Sequence, residues 1–142
     1  MKGFILLFFC LTTFSSFAQN IYIGYTEAQF LEYSGFNGTI RYKKISENDS
    51  LKLFTWEDKQ TNTLNMASLG HNLTIGFQTI MPATQQKLNT FLNALTANYA
   101  QVNNVEWKGY IRGRAISITI GNNPSLPDNT LVTIVDVTDR RD

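Results

Sequence analysis

The side chains that could do metal, nucleophilic or phosphate chemistry are few. His71 is the only histidine and sits in a Gly-His-Asn turn, while the only cysteine, Cys10, falls in an apolar N-terminal run. A lone histidine without cysteines does not make up a zinc ligand set. Neither a Gly-x-Ser-x-Gly elbow nor a phosphate-binding glycine loop occurs. The sequence therefore predicts no metal, no cofactor and an exposed turn at His71.

Carboxylates are the remaining candidates for catalysis. Most of the 11 acidic residues fall in predicted turns, helix caps or the C-terminal tail. The exceptions are Glu106, beside Trp107 in a predicted strand, and Asp136, in the last predicted strand. Asp136 alternates with Val135 and Val137, so we expect it to face solvent. The pattern favours a non-catalytic protein. The alternative is a small hydrolase that uses carboxylates such as Glu106, as glycosidases use a pair of acids.

Aromatic residues make up 13% of the chain and indicate a second kind of site. Trp56, Trp107 and Tyr110 lie near predicted hairpin ends, where Lys108 and Arg112 add positive charge. Such rings provide a large contact area at a low entropic cost. We predict that these five residues bind another protein or a glycan. Two alternatives are that the rings fill the core, or that a lipid or small molecule is carried between a helix and the sheet.

The first 18 residues are typical of a cleaved signal peptide. Lys2 precedes the apolar run 4–14, and Ser16-Phe17-Ala18 gives a small-x-small cleavage pattern. The run is shorter than the roughly 20 apolar residues that span a bilayer, so we expect no membrane span after cleavage. Residues 19–142 then form a single exported domain, periplasmic or secreted. Without Lys2 the charges balance at 11 basic and 11 acidic residues, which argues against nucleic acid as a partner.

Packing is organised by the stretch from Pro82 to Gly121. Five apolar residues at helical spacing predict an amphipathic helix: Leu88, Phe91, Leu92, Leu95 and Tyr99. Strands are then predicted over 99–107, 114–120 and 131–137, with Arg112-Gly113 as a hairpin tip.

The N-terminal half predicts a strand at 21–23, a helix and further strands. Thr26-Glu27-Ala28-Gln29 matches a capping box, and Gly35 is expected to end that helix. Strands follow over 38–45, 51–56 and 63–69. Leu73, Ile75 and Phe77 alternate with Thr74, Gly76 and Gln78, which predicts one more, half-buried strand with Phe77 in the core and Gln78 on its solvent side.

These elements predict an α+β fold. A mostly antiparallel sheet carries two helices on one face, in the order β-α-βββ-α-βββ with an optional fourth strand before the second helix. The order also suggests a weak αβββ duplication, since Trp56 and Gly70 have the same spacing as Trp107 and Gly121.

Two local patterns resemble features of Bacteroidota proteins. Asp49-Ser50-Leu51 is similar to their O-glycosylation acceptor motif, which implies a modification at Ser50. The Phe-Ala-Gln cleavage region resembles their export signals. The C-terminal half is similar to a group of small exported hypothetical proteins of these bacteria. The likeness rests on Met81-Pro82, the following helix and the run Asn104-Val105-Glu106-Trp107-Lys108-Gly109-Tyr110. It implies an export route and a fold but no mechanism.

Overall fold

The computed structural model describes residues 21–47, 49–59, 61–70, 72–123 and 126–138. The predicted signal peptide 1–18, the turn residue His71 and the tail 139–142 lie outside the described residues. The elements within the described ranges, in chain order, are α1 (Glu27–Tyr33), β1 (Thr39–Ser46), β2 (Asp49–Asp58), β3 (Thr63–Leu69), β4 (Ile75–Pro82), α2 (Gln85–Asn98), β5 (Ala100–Asn103), β6 (Glu106–Ile111), β7 (Arg114–Asn123) and β8 (Leu126–Asp136).

The strands form one open antiparallel sheet in the order β1-β2-β3-β4-β8-β7-β6-β5. Both helices pack on one face, which we call the helix-covered face. On this face Phe30 of α1 lies against Phe54 and Trp56 of β2, and Trp107 of β6 donates to Thr96 of α2. The predicted α+β class, with two helices on one face of an antiparallel sheet, is confirmed.

The predicted element order needs two corrections. Residues 21–23 are not a strand, because the chain turns at Gly24 (φ 85°) and the Tyr25 N–H returns to the Tyr22 carbonyl. The run predicted as one strand over 99–107 is instead the hairpin of β5 and β6. Asn103 opens its turn, since its side-chain oxygen accepts the Val105 N–H at 2.9 Å. The observed order is therefore α-ββββ-α-ββββ.

This order repeats one topological unit, a helix followed by four antiparallel strands. The two units meet where β4 pairs with β8, and Thr79 lies opposite Thr133 in that central ladder. Trp56 and Trp107 occupy equivalent strands, the second in each unit. The two glycines of the sequence comparison are not equivalent, since Gly70 follows β3 whereas Gly121 lies inside β7.

The core lies between the helices and the helix-covered face. In α2, Leu88 and Leu95 are buried, as the apolar stripe predicts. In α1, the predicted capping box is present in both directions between Thr26 and Gln29. One turn later Phe30 is fully buried, because the cap sets the helix so that this ring points into the aromatic cluster above β2.

The segment 21–25 packs on the same face beside β4. Ile21 and Ile23 are buried. The Tyr22 N–H donates to the buried side chain of Gln78 at 2.8 Å, and the Gly24 N–H donates to the Ile75 carbonyl. Buried backbone groups need partners, and here β4 supplies them without the segment becoming a strand.

Candidate functional site

The structure does not bring the five predicted binding residues together. Trp56 and Trp107 are 6% and 2% exposed and point into the core on the helix-covered face. The Trp107 Nε1–H donates to the Thr96 hydroxyl at 3.3 Å. Both indoles are held within the protein, so neither presents a ring to a partner in this conformation.

Lys108 and Tyr110 lie on the opposite side of the sheet from Trp107, because successive strand residues alternate between faces. Tyr110 is 77% exposed. Lys108 is exposed, with its Nζ 3.6 Å from Glu106 Oε1. These two residues therefore belong to the face that the helices leave open.

Arg112 holds the N-terminal segment in place. It occupies the two-residue turn between β6 and β7, where Arg112 (φ 49°) and Gly113 (φ 73°) both have positive φ, as a type I′ turn requires. The Arg112 guanidinium donates to the Ile21 carbonyl at 2.8 Å and the Ile23 carbonyl at 3.1 Å. Its Cζ lies 3.9 Å from the centroid of the Tyr25 ring. Its donors are thus directed at the protein's own backbone.

The two carboxylates of interest have protein partners. Glu106 accepts from Ser117 at 3.3 Å and pairs with Lys108. Among the described residues no group of three or more His, Cys, Asp or Glu side chains could hold a metal ion. Glu106 therefore sits in a surface network of ordinary strand neighbours, which gives the hydrolase alternative no geometric support.

Asp136 does not face solvent as the alternation suggested. Its side chain is 10% exposed, and its Oδ2 accepts from the Arg114 guanidinium at 2.7 Å. Burial raises the pKa of Asp136, but hydrogen bonds from Thr138 and the pairing with Arg114 outweigh it and hold the pKa below its ordinary value of 3.8. Asp136 lies two residues after Ile134 and therefore on the same side of β8. Because Ile134 pairs with the buried Ile118 and faces the helices, Asp136 also lies on the helix-covered face.

Ser50, the predicted modification site, is exposed at the start of β2. It lies opposite Lys44 of β1 in the ladder. The hydroxyl is accessible, and glycosylation of Ser50 stays a prediction.

The helix-free face of the sheet carries a surface that the sequence argument missed. Residues from four adjacent strands, β2, β3, β4 and β8, place apolar, half-buried side chains at its centre. We call this set the sheet patch: Leu53, Met66, Phe77, Met81, Leu131 and Val135. Because the helices and the segment 21–25 all pack on the other face, nothing in the described part of the chain covers these side chains.

Polar and charged residues border the sheet patch on both sides. Towards β1 they are Arg41 and Lys43, opposite Leu53 and Leu51 in the register. Towards β5, an edge of mixed character is formed by Ser117, Thr119, Glu106, Lys108 and Tyr110. An apolar centre with a polar rim is the usual anatomy of a protein interface.

A signal for this face was present in the sequence. In β2, Leu51 and Leu53 alternate with Phe54 and Trp56, so the strand is apolar on both sides. A two-sided apolar strand in an antiparallel sheet needs cover on both faces or leaves one apolar face exposed.

Phe77 was misassigned for a related reason. The alternation predicted that Phe77 faces the core and Gln78 faces water, yet Gln78 is fully buried and Phe77 lies half-buried on the helix-free face. The buried amide is tolerated because its oxygen accepts the Tyr22 N–H. That partner lies 56 residues away in the chain, so periodicity alone cannot reveal it.

Comparison of the chain with protein-family models, with curated proteins and with solved structures finds no match in any of the three. Within the described residues, no helix is both long and apolar enough to cross a membrane.

Proposed function

We propose that this chain is a small exported binding protein without catalytic activity, and that its helix-free face contacts a protein partner in the cell envelope or outside the cell. The observation that carries the proposal is the sheet patch. Its apolar side chains lie on a face that the two helices and the N-terminal segment leave open. The export route rests on the signal-like segment 1–18.

The chemistry of this face favours a protein over a glycan. Methionine, phenylalanine and tyrosine are enriched in protein interfaces, and the face offers Met66, Phe77, Met81 and Tyr110. A glycan site would need exposed flat rings, yet Trp56 and Trp107 are buried. Among these aromatic side chains, only Tyr110 is fully accessible at this face.

The test is site-specific photocrosslinking in the host. A photoreactive phenylalanine analogue replaces Leu64 or Thr119, two exposed residues of the helix-free face. The matched control places it at Asn93, which is exposed on α2. We expect Leu64 and Thr119 to give the same adduct mass, and Asn93 to give none of it.

A second variant separates contact from proximity. Introducing Thr119→Arg should remove the adduct formed at Leu64, since a bulky charge on the strand next to the sheet patch blocks docking. Equal adducts from Asn93, or no adduct from either sheet position in the host, would refute the proposal. Protease treatment identifies the adduct as protein, and an adduct that resists protease and yields sugars would assign the face to a glycan instead.

A further inference from the structure

Among the described residues the sheet ends in two strands whose outer edges have no neighbouring strand, and these two strands differ sharply. β5 has four residues, all uncharged, and offers few ladder hydrogen bonds. β1 has eight residues, every one of them exposed. Natural sheets blunt their edges with short edge strands, charged side chains, β-bulges or a covering element. β5 is short, whereas β1 is long and carries three cationic side chains and a bulge between Lys44 and Ser46.

The side chains of β1 differ between its two sides. Ile40 and Tyr42 are 40% and 69% exposed. They pair with Phe54 and Lys52 of β2, so they extend the helix-covered face beyond α1. Arg41 extends the helix-free face. Lys43 lies on the same side as Arg41, opposite Leu51. Over residues 40–43 one side of the edge is therefore apolar and the other is cationic, whereas Lys44 follows Tyr42 on the first side.

Within the described residues, the three cationic side chains of β1 are not paired with a carboxylate. The ion pairs in the described part of the chain involve none of Arg41, Lys43 and Lys44. Two copies of β1 paired edge to edge would bring their cations together, and like charges opposite each other destabilise a ladder. The charge pattern thus disfavours self-association and suits a strand that carries carboxylates.

We propose that the free edge of β1 pairs with an acidic extended segment of a partner protein. The segment adds a ninth strand to the sheet. Its backbone provides the ladder hydrogen bonds, its apolar side chains contact Ile40 and Tyr42, and its alternate carboxylates pair with Arg41 and Lys43. Strand addition of this kind takes affinity from the main chain and specificity from alternate side chains. The proposal does not depend on the sheet patch, because it uses the strand edge and not the face.

The probe is an eight-residue peptide of alternating valine and glutamate, tested on the chain as isolated from its host. One control peptide has lysine in place of glutamate, and another is N-methylated at every residue so that it cannot donate to a ladder. We expect binding of the acidic peptide alone, weakened by added salt, with slowed hydrogen exchange at the amides of β1.

A pair of charge-reversal variants sharpens the result. Arg41→Glu with Lys43→Glu should weaken binding of the acidic peptide by about tenfold, the combined value of a few exposed ion pairs. The matched control, Lys59→Glu with Gln86→Glu and Asn93→Glu, changes the net charge equally but lies away from β1 and should bind as the parent does. All of these side chains are exposed, so we expect both variants to fold.

Four results would overturn the proposal. One is equal binding of the N-methylated peptide, which would reduce the effect to charge attraction. The second is equal weakening by the control variant. The third is exchange protection at β5 in place of β1, and the fourth is no binding of the acidic peptide.

Discussion

Replacing Arg112 by alanine should destabilise the fold through the N-terminal segment. The variant loses two charge-assisted hydrogen bonds, to the carbonyls of Ile21 and Ile23, and the stacking over Tyr25. Because Arg112 is partly solvated, each hydrogen bond is taken at about 1 kcal/mol and the stacking at about 0.5 kcal/mol. The expected loss is about 2.5 kcal/mol from a free energy of unfolding of roughly 5–15 kcal/mol.

The backbone at Arg112 provides an internal control. Its φ of 49° lies in the left-handed region, where a side chain with a Cβ costs roughly 1–2 kcal/mol and glycine costs little. Alanine keeps this cost and glycine removes it. Arg112→Gly should therefore be about 1 kcal/mol more stable than Arg112→Ala, although both lack the guanidinium.

Urea denaturation followed by tryptophan fluorescence measures these differences, since Trp56 and Trp107 are both buried. Hydrogen exchange adds a local readout. The Gly24 amide, bonded to the Ile75 carbonyl, should exchange faster in Arg112→Ala. The matched control is Arg41→Ala, an exposed arginine without an ion pair in the described residues, expected within about 0.5 kcal/mol of the parent.

Equal stability of Arg112→Ala and Arg41→Ala, with Gly24 exchange unchanged, would show that Arg112 does not hold the N-terminal segment in place. A glycine variant less stable than the alanine variant would show that the backbone at Arg112 is not strained.

Three further variants test other parts of the structure, each by urea denaturation. Gly38→Ala should cost more than about 2 kcal/mol, since the added Cβ would lie 2.0 Å from a β2 carbonyl oxygen. In Gly121→Ala the added Cβ meets nothing within 4 Å, so this variant should be near neutral. Equal effects of the two substitutions would contradict the close approach at Gly38. Asp136→Asn should cost about 1–2 kcal/mol at pH 7 by weakening the pair with Arg114. The folded-state pKa of Asp136 is lowered, so this stabilisation is present above about pH 3.8 and is lost as the pH falls through the folded-state pKa; a gap between variant and parent that persists in acid would argue against it. Trp107→Phe should cost about 1–3 kcal/mol, because it removes the hydrogen-bond donor to Thr96 of α2 and leaves a gap in the core. A loss of stability below about 0.5 kcal/mol would show that the indole does not stabilise the core.

The sequence predicted correctly those elements that depend on residues close to one another in the chain. The capping box at Thr26 and the hairpin tip at Arg112-Gly113 depend on residues within a few positions of each other. The stripe of α2 was also correct, since Leu88 and Leu95 are one helical face. Such features follow from backbone geometry and nearby side chains, so they are readable from the sequence.

The positions of the five predicted binding residues in the fold could not be predicted from the sequence, because sequence position does not say which side of a strand is buried. Trp107 and Lys108 are neighbours in the chain but lie on opposite faces. Likewise, Arg112 was expected to meet a partner, whereas its donors reach carbonyls about 90 residues earlier in the chain. Those contacts exist only after the N-terminal segment packs beside β4.

The sequence by itself determined the α+β class, the two helices and most strand positions, because hydrophobic periodicity and caps act over short distances. The tertiary structure alone decided which sheet face the helices cover, and with it the burial of Trp56 and Gln78 and the position of Phe77 on the helix-free face. It also decided the sheet order, in which β4 pairs with β8 and β1 is left as an open edge. The physical reason is that strands of similar apolar content can bury either side, and only the sum of long-range contacts selects one.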